Sequence, residues 1–151
     1  MERSRSIWPL VAIALGCAEG LPSDVAGYAE RCVRLNAAPI PSEGDDDPHE
    51  GVKNVYACNV TPDQLRDASG QPLYPFPEGT LIVKESQRED QDYVWLIALM
   101  RKEGGSWKWT EYHRNFPDQD FGKLALKETV CTGCHAKVES LDWVYTPYAA
   151  P

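Results

Sequence analysis

Apolar and polar residues alternate along four stretches in the middle of the chain, which is the pattern of β-strands with a buried face. The glycines of the sequence EGGS allow a tight reversal, so residues 93–113 are predicted to form a β-hairpin. We therefore expect an antiparallel sheet. The four stretches are VKNVYACNV (52–60), GTLIVKES (79–86), DYVWLIALMRK (92–102) and WKWTEYHR (107–114).

Helical spacing appears towards the two ends of the chain. In SDVAGYAERCVRLN (23–36) apolar residues recur every three or four positions, after a Ser-Asp pair that suits a helix start. A second helix is predicted from about Leu124 into a motif with two cysteines, and Thr61 with Pro62 opens a short one. The predicted fold class is α+β: mainly antiparallel β-sheet with an N-terminal helix and a C-terminal helix that carries the motif.

Three segments show neither the alternation of a strand nor the three- to four-residue spacing of a helix. AAPIPSEGDDDPHE (37–50) is predicted to be a solvated loop, in which the aspartates 45–47 face water; a cation site is the alternative. QPLYPFPEG (71–79) contains too much proline for a regular element. The closing stretch LDWVYTPY (141–148) is predicted to be extended.

The first residues, MERSRSIWPLVAIALGC, combine a basic start with a short apolar run. The run is too short to span a bilayer, so residues 1–16 are predicted to be a secretory signal peptide. The tetrapeptide ALGC resembles the bacterial lipobox, which would make Cys17 a lipidated first residue; ordinary secretion and a retained anchor are the alternatives. We expect a periplasmic or cell-envelope lipoprotein, with residues 17–48 as N-terminal helix and acidic linker and residues 49–151 as the main domain.

The composition and the number of cysteines limit the classes of binding partner and indicate the redox state of the cellular compartment. The 151 residues carry a formal charge of −8, which argues against nucleic acid and suits a basic redox partner protein. With Cys17 lipidated and Cys131 and Cys134 in a motif, Cys32 and Cys58 remain of the five cysteines. We predict a disulfide between them in an oxidising compartment; two buried free thiols are the alternative.

The sequence CTGCH (131–135) is C-x-x-C-H, the attachment signature of c-type haem. Cys131 and Cys134 lie on one face of a helical turn, where each thiol can add to one haem vinyl group, and His135 then reaches the iron. A thioredoxin-like site needs the motif near the start of a βαβ unit, and a zinc site needs four ligands. We therefore predict one covalent haem c with His135 as proximal iron ligand.

The sixth position of the iron has no evident ligand in the sequence. Small electron carriers usually have a methionine well after the motif, and none follows His135. Met100 lies in a predicted strand and is expected in the core, while His49 and His113 are expected to be solvated. The iron is therefore predicted to be five-coordinate, with an open face for a small molecule.

Four stretches resemble one family, the cytochrome P-460 and cytochrome c′-beta group. The resemblance covers the chain from about His49 to Thr146. It implies a mostly antiparallel β fold with helices, often a homodimer, one covalent c-haem, His135 as proximal ligand and an open distal side. The stretches are FPEGTLIVKES (76–86), LIALMRKEGGSWKWTEY (96–112), CTGCHA (131–136) and DWVYT (142–146).

The resemblance also assigns a role to Lys84. It aligns with the lysine that P-460 members crosslink to the haem, a feature that accompanies oxidation of hydroxylamine or nitric oxide. The c′-beta members lack the crosslink and bind nitric oxide or carbon monoxide. Oxidising members place a carboxylate on the strand that corresponds to residues 94–100, where this chain has none, and Glu85 and Glu111 are the candidates to replace it. The alternative for Lys84 is a strand lysine that pairs with a haem propionate or lies near Glu85.

We therefore expect an exported monohaem c-type cytochrome with an open haem face that binds or redox-processes small nitrogen oxides, nitric oxide or hydroxylamine. The expected partners are that small ligand and a redox partner protein, with membrane contact only through the N-terminal lipid. The sequence leaves three classes open: enzyme, ligand-binding module, and electron-transfer cytochrome without turnover. The last would need a sixth ligand such as Met100.

Overall fold

The computed structural model describes residues 20–44 and 46–149. The predicted signal peptide at residues 1–16 and the predicted lipidation site Cys17 lie outside the described residues. In the part of the chain that is described, none of the helices combines the length and the apolar character needed to cross a membrane.

One antiparallel sheet organises the chain. Its six strands lie side by side in sequence order, and each pairs with its sequence neighbour. The predicted antiparallel sheet is therefore confirmed, and its four central strands match the four alternating stretches. The strands are β1 (Val33–Arg34), β2 (Val52–Cys58), β3 (Leu81–Gln87), β4 (Leu96–Glu103), β5 (Ser106–His113) and β6 (Gly122–Lys123).

Strands β4 and β5 form the predicted hairpin. Glu103 pairs with Ser106 across a two-residue turn. Both turn residues have positive φ, 60° for Gly104 and 75° for Gly105. Side-chain-bearing residues rarely adopt these angles, and a turn with two positive φ values matches the twist of the flanking strands. The glycine pair therefore fixes where the chain reverses and which residues of the two strands face each other.

The predicted N-terminal helix at residues 23–36 is not confirmed. Helix α1 spans only Tyr28–Arg31, because Gly27 before it has φ 69° and Val33 after it already belongs to β1. A left-handed residue cannot continue a right-handed helix. The residues before Tyr28 therefore form turns, although their apolar spacing is helical.

The C-terminal helix is confirmed, with a later start than predicted. Helix α2 spans Glu128–His135 and contains the whole cysteine motif, while residues 124–127 before it are not helical. A 3-10 helix, Ala136–Leu141, follows directly. The prediction that residues 141–148 are extended is wrong, because residues 142 and 143 both adopt left-handed backbone conformations.

No long element connects β2 to β3. The short helix predicted at Thr61 and Pro62 is a 3-10 helix, Pro62–Gln64, whose Gln64 side chain accepts a hydrogen bond from the Thr61 N–H at 2.9 Å. The proline-rich segment 71–79 is irregular, as predicted.

The sheet carries a hydrophobic core on each face. Because side chains alternate along a strand, residues 55 and 57 of β2 face one core and residues 56 and 58 face the other. We call the side of residues 55 and 57 the first face. The C-terminal segment packs on it through Val144 and Tyr148, whereas the N-terminal segment packs on the second face through Val25.

Candidate haem site

Helix α2 presents two free thiols beside the first face. Cys131 is half-buried and Cys134 is exposed, and neither belongs to a disulfide. They are three residues apart in a helix, so their side chains lie on the same side of it. The structure joins the other two described cysteines, Cys32 and Cys58, by a disulfide with an S–S distance of 1.99 Å. The motif thiols are therefore free to react with a group that lies against α2.

His135 is held in one tautomer. Its Nδ1 lies 2.6 Å from the Trp143 carbonyl oxygen, which can only accept, so Nδ1 carries the proton and Nε2 keeps its lone pair. Burial lowers the pKa of His135, which favours the neutral imidazole that binds metals. The ring packs edge-on against Trp109 and Tyr145, with centroid distances of 4.5 and 5.2 Å. His135 is therefore oriented to ligate iron before any cofactor arrives.

An unusual backbone conformation aims the Trp143 carbonyl. Asp142 and Trp143 have φ of 51° and 67°, a region that costs side-chain-bearing residues about 1–3 kcal/mol each. The Asp142 carboxylate holds the bend, because it accepts hydrogen bonds from the Phe76 N–H at 2.9 Å and from Trp107 Nε1 at 3.3 Å. It also forms an ion pair with Lys102. This support is not visible in the sequence, since no local pattern marks two consecutive left-handed residues.

A cavity of about 710 Å³ lies between α2 and the first face, and the three residues of the haem motif line it. Protein sites for cofactors and small ligands typically measure about 300–1,000 Å³ and are mostly apolar. Two free thiols, a tautomerically fixed imidazole and an apolar wall meet in one space, so the residues present fit a covalently bound haem c. The apolar wall includes Trp95, Leu96, Trp109, Leu124 and Val130.

Lys84 also lines this cavity. It lies on β3 between Val55 and Ala98 of the neighbouring strands, which puts its side chain on the first face. Its Nζ is 3.0 Å from His49 Nδ1. Burial lowers the pKa of Lys84 to about 8, and the ammonium of Lys53 acts in the same direction. The side chain thus reaches the space in which the resemblance places it, and it loses its proton at lower pH than an ordinary lysine.

The two candidate acids lie on opposite sides of the sheet. Glu111 faces Ala98 across the β4–β5 pair and lines the cavity. Glu85 points to the second face, where it accepts hydrogen bonds from Asn54 Nδ2 at 2.8 Å and Tyr56 Oη at 3.2 Å. Of these two, Glu111 is therefore the acid that supplies a carboxylate to the cavity.

The prediction that His49 is a solvated loop histidine is wrong. Its side chain is 12% exposed, and its Nε2 lies 3.3 Å from Glu111 Oε1. The aspartate run is not simply solvated either, because Asp47 forms a buried ion pair with Lys53 and accepts a hydrogen bond from the His49 N–H at 3.0 Å. The loop therefore carries an imidazole into the cavity wall. Local spacing could not show this, since Glu111 is 62 positions away in the sequence.

The structure confirms Met100 as a core residue. It is buried in the core of the first face and is not among the described residues that line the cavity, and neither is His113. Within residues 20–44 and 46–149, no group of three or more His, Cys, Asp or Glu side chains is arranged to hold a bare metal ion.

Comparison with known protein families matches residues 36–146 to Cytochrome P460. Comparison with curated proteins gives no match. The matched region contains β2 to β6, α2 and the segment that positions His135. The family consists of c-type haem proteins, and a single covalent haem c fits both it and the cavity described above. Because the match covers more than half of the 151 residues, the chain belongs to the cytochrome P460 family.

Proposed function

We propose that the protein is an exported monohaem c-type cytochrome that binds and redox-processes small nitrogen oxides, with nitric oxide as ligand and hydroxylamine as oxidisable substrate. One observation carries the proposal: the Glu111 carboxylate lines the same cavity as Cys131, Cys134 and His135. A proton acceptor beside a haem site suits a reaction that removes protons and electrons together.

The residues of α2 divide the work of holding the cofactor. Cys131 and Cys134 would form the two thioether bonds, and His135 would offer Nε2 to the iron, because its Nδ1 is already bonded to the Trp143 carbonyl oxygen. Haem c, when bound, supplies an iron that changes its charge by one electron and coordinates small nitrogen oxides. The hydrogen bond to the Trp143 carbonyl oxygen holds the imidazole in one orientation.

Glu111 is the residue we assign as proton acceptor. Its side chain is 14% exposed, so it is sheltered from bulk water yet can exchange protons with it. Hydroxylamine must lose protons as electrons leave, and a nearby base lowers that barrier. The apolar side chains of Leu96 and Trp109 in the same wall favour small neutral molecules over water.

The alternative function is electron transfer without turnover, which requires a strong sixth ligand. The burial of Met100 in the core supports an open face instead. His49 lies in the cavity wall, but its two ring nitrogens are already within 3.0 and 3.3 Å of Lys84 and Glu111. Both observations favour a haem with an open face for a small ligand over a haem whose iron is six-coordinate.

Lys84 separates two activities within this proposal. A bond between Lys84 and the haem would place the protein with the oxidising members that the sequence resembles, and a free Lys84 with the nitric oxide binders. The position of the Lys84 amine in the cavity wall supports a bond to the haem. Mass spectrometry of tryptic haem peptides distinguishes them by showing whether the residues around Lys84 travel with CTGCH.

Export is part of the proposal. Covalent attachment of haem to C-x-x-C-H takes place outside the cytoplasm, and the Cys32–Cys58 disulfide suits an oxidising compartment. Both features support a signal peptide, with Cys17 as a lipid anchor that holds the protein at the cell envelope. There it would pass electrons to a redox partner protein, as a homodimer.

The test of the proton acceptor is Glu111→Gln, which keeps the size of the side chain and removes the base. We expect hydroxylamine oxidation to fall by about 10²–10⁴-fold, with haem content unchanged. Glu103→Gln, which changes an exposed carboxylate at the end of β4, is the matched control and should leave turnover unchanged.

Optical spectra of the reduced protein with and without nitric oxide test the open face in the same samples. We expect a five-coordinate spectrum that changes when nitric oxide is added. A spectrum that is already six-coordinate and unaffected by nitric oxide would contradict the proposal. So would full hydroxylamine turnover in Glu111→Gln.

A further inference from the structure

Two tyrosine hydroxyls on the second face donate hydrogen bonds to the same carboxylate. Tyr28 donates to Oε2 of Glu85, and Tyr56 donates to Oε1 of Glu85 at 3.2 Å. The two tyrosine rings meet edge to face, with a centroid distance of 5.2 Å. We call Tyr28, Tyr56 and Glu85 the tyrosine–glutamate cluster. None of its three residues is among the described residues that line the haem cavity, so the cluster is a separate site.

The carboxylate of the cluster is held in place by a further donor. Asn54 Nδ2 donates to Glu85 Oε1 at 2.8 Å. The Asn54 amide is itself oriented, because its Oδ1 accepts a hydrogen bond from Arg34 Nη2 at 2.6 Å. Glu85 Oε1 therefore has two donors, whereas Oε2 has the Tyr28 hydroxyl. This arrangement directs Oε2 at one phenol and fixes the path that a proton would take between them.

The cluster resists loss of a proton alone. Burial raises the pKa of Tyr28, and its hydrogen bond to Glu85 acts in the same direction. Burial and the charge of Glu85 also raise the pKa of Tyr56. Both phenols are therefore neutral in the resting protein. A phenol that loses an electron becomes a strong acid, and a base already bonded to its hydroxyl can take the proton without any rearrangement.

The cluster lies directly behind the wall of the haem cavity. Glu85 follows Lys84 on β3, and Lys84 lines the cavity. Tyr56 follows Val55 on β2, and Val55 is the residue that pairs with Lys84. Consecutive residues of a strand point to opposite faces, and their Cα atoms are about 3.8 Å apart. One layer of backbone therefore separates the cluster from the cavity wall, which is a short path for an electron.

We propose that Tyr28 is a proton-coupled electron donor to the haem cavity, and that Glu85 is the base that receives its proton. The electron acceptor is a haem that hydrogen peroxide has oxidised. In this step the haem gains one electron, the Tyr28 O–H bond breaks, and the proton moves to Glu85 Oε2. The products are a neutral tyrosyl radical and a neutral carboxylic acid, so the step creates no charge in the core.

The consequence of the step is protection, because the electron quenches an oxidant that otherwise attacks the haem. The inference rests on the haem site and its open face and is independent of hydroxylamine oxidation. It adds a second redox site to the molecule, on the opposite side of the sheet from the first.

Two other tyrosines lack a base and provide the contrast. Tyr145 lines the cavity, and its ring lies 5.2 Å from that of His135, but its hydroxyl donates to the Cys134 carbonyl oxygen at 2.8 Å. Tyr93 donates to the Asn115 carbonyl oxygen at 2.6 Å. A backbone carbonyl accepts a hydrogen bond but does not take up the proton at neutral pH. Contact with the haem ligand therefore favours Tyr145 as the radical site, whereas a bonded base favours Tyr28.

The experiment identifies the radical. Ferric haem-loaded protein is mixed with hydrogen peroxide, frozen within milliseconds and measured by electron paramagnetic resonance. We expect a tyrosyl signal in the wild type that narrows when the protein contains ring-deuterated tyrosine, and we expect its loss in Tyr28→Phe. Tyr93→Phe is the matched control, since it also removes a bonded hydroxyl, and it should retain the signal. Haem content, measured for each variant, shows that the site is loaded.

Glu85→Gln is the second variant, because it keeps a polar side chain of the same size that cannot take the proton. The yield of the radical should fall by about ten-fold or more. Peroxide should also bleach the haem of Tyr28→Phe faster than that of Tyr93→Phe.

Three results would overturn the inference: a wild type without a tyrosyl signal, a signal that persists in Tyr28→Phe, or a signal that is lost only in Tyr145→Phe. An unchanged yield in Glu85→Gln would overturn the role of Glu85. A wild type that binds nitric oxide and oxidises hydroxylamine, yet forms no tyrosyl radical, would refute this inference and leave the proposed function standing.

Discussion

The energetic cost of burying a lysine depends on the group that lies beside its ammonium. The first face contains three lysines that are largely shielded from water. Lys53, Lys84 and Lys102 lie on adjacent strands, where loss of hydration costs several kcal/mol unless a counter-ion is close. Aspartates provide that counter-ion for Lys53 and Lys102. Lys84 has an imidazole instead, and the pKa of its amine is lowered to about 8. Two of the three lysines are therefore held as paired ions, and the third has an imidazole beside it and a lowered pKa.

Asp142→Asn tests the buried ion pair that supports the proximal histidine. Lys102 and Asp142 are 6% and 13% exposed, so an unpaired ammonium should lower the free energy of unfolding by about 3–5 kcal/mol. Asp24→Asn is the matched control. It breaks a surface pair with Arg101, where the side chains are 30% and 55% exposed, and it should cost less than about 1 kcal/mol. Urea denaturation of the haem-loaded variants measures both losses.

A second substitution separates charge from shape at the same place. Lys102→Met combined with Asp142→Asn removes the unpaired charge, so most of the lost stability should return. The ferric spectrum should still differ from wild type, because the weakened bend no longer fixes the Trp143 carbonyl that holds His135. Equal losses in Asp142→Asn and the Asp24 control would show that the buried pair contributes no more than a surface pair.

The residues of the site differ in how visible they are in the sequence. Cys131, Cys134 and His135 are predictable because their chemistry depends on spacing within one helical turn. His49 was missed, since its partners Lys84 and Glu111 come from strands 35 and 62 positions away. Only the register of the sheet and the path of the loop bring these three together, and neither follows from local pattern.

The same contrast holds for whole elements. Alternation predicted β2 to β5 because each is long enough for one apolar face to appear. The edge strands β1 and β6 have two residues each and exist only because a neighbour offers hydrogen bonds. The N-terminal segment has helical spacing but is interrupted by the left-handed Gly27. Periodicity therefore predicted the middle of the sheet and failed at its margins.

The disulfide is the covalent link between two of these elements. Cys32 follows α1 and Cys58 ends β2, with a sequence separation of 26. Closing a loop of that length restricts the unfolded chain by about 3–4 kcal/mol in the chain-entropy account. A variant with Ser at both positions should lose that much stability in urea denaturation and keep its haem, because the link lies away from the cavity lining. A serine variant as stable as wild type would contradict this assignment.

Reductant provides the matched control for that variant. It should lower the stability of the wild-type protein towards the value of the double serine variant, and it should leave the variant itself unchanged. A reductant effect of equal size in both proteins would mean that the reductant acts on a group other than the disulfide, such as the haem iron.

At the scale of the whole molecule, the two sides of the sheet are completed differently. The second face is closed by protein side chains, whereas the first face carries both a core and the cavity of about 710 Å³. Helix α2 buries no residue of its own. It is tied to the following segment by the hydrogen bond of His135 to Trp143 and by that of Tyr145 Oη to the Cys134 carbonyl oxygen at 2.8 Å. We therefore expect haem bound in the cavity to contribute to the attachment of this helix.

Removal of the covalent cofactor should consequently loosen one part of the molecule and spare the rest. In a Cys131→Ala, Cys134→Ala variant, amides of α2 and of residues 136–146 should exchange hydrogen about ten-fold or more faster than in the haem-loaded protein, because local opening no longer breaks haem contacts. Amides of β3 and β4, which are central in the sheet, should keep their protection. Hydrogen exchange with mass spectrometry measures both regions at once. Equal acceleration across the sheet would show that haem stabilises the global fold, and unchanged protection of α2 would show that the helix is held by the protein alone.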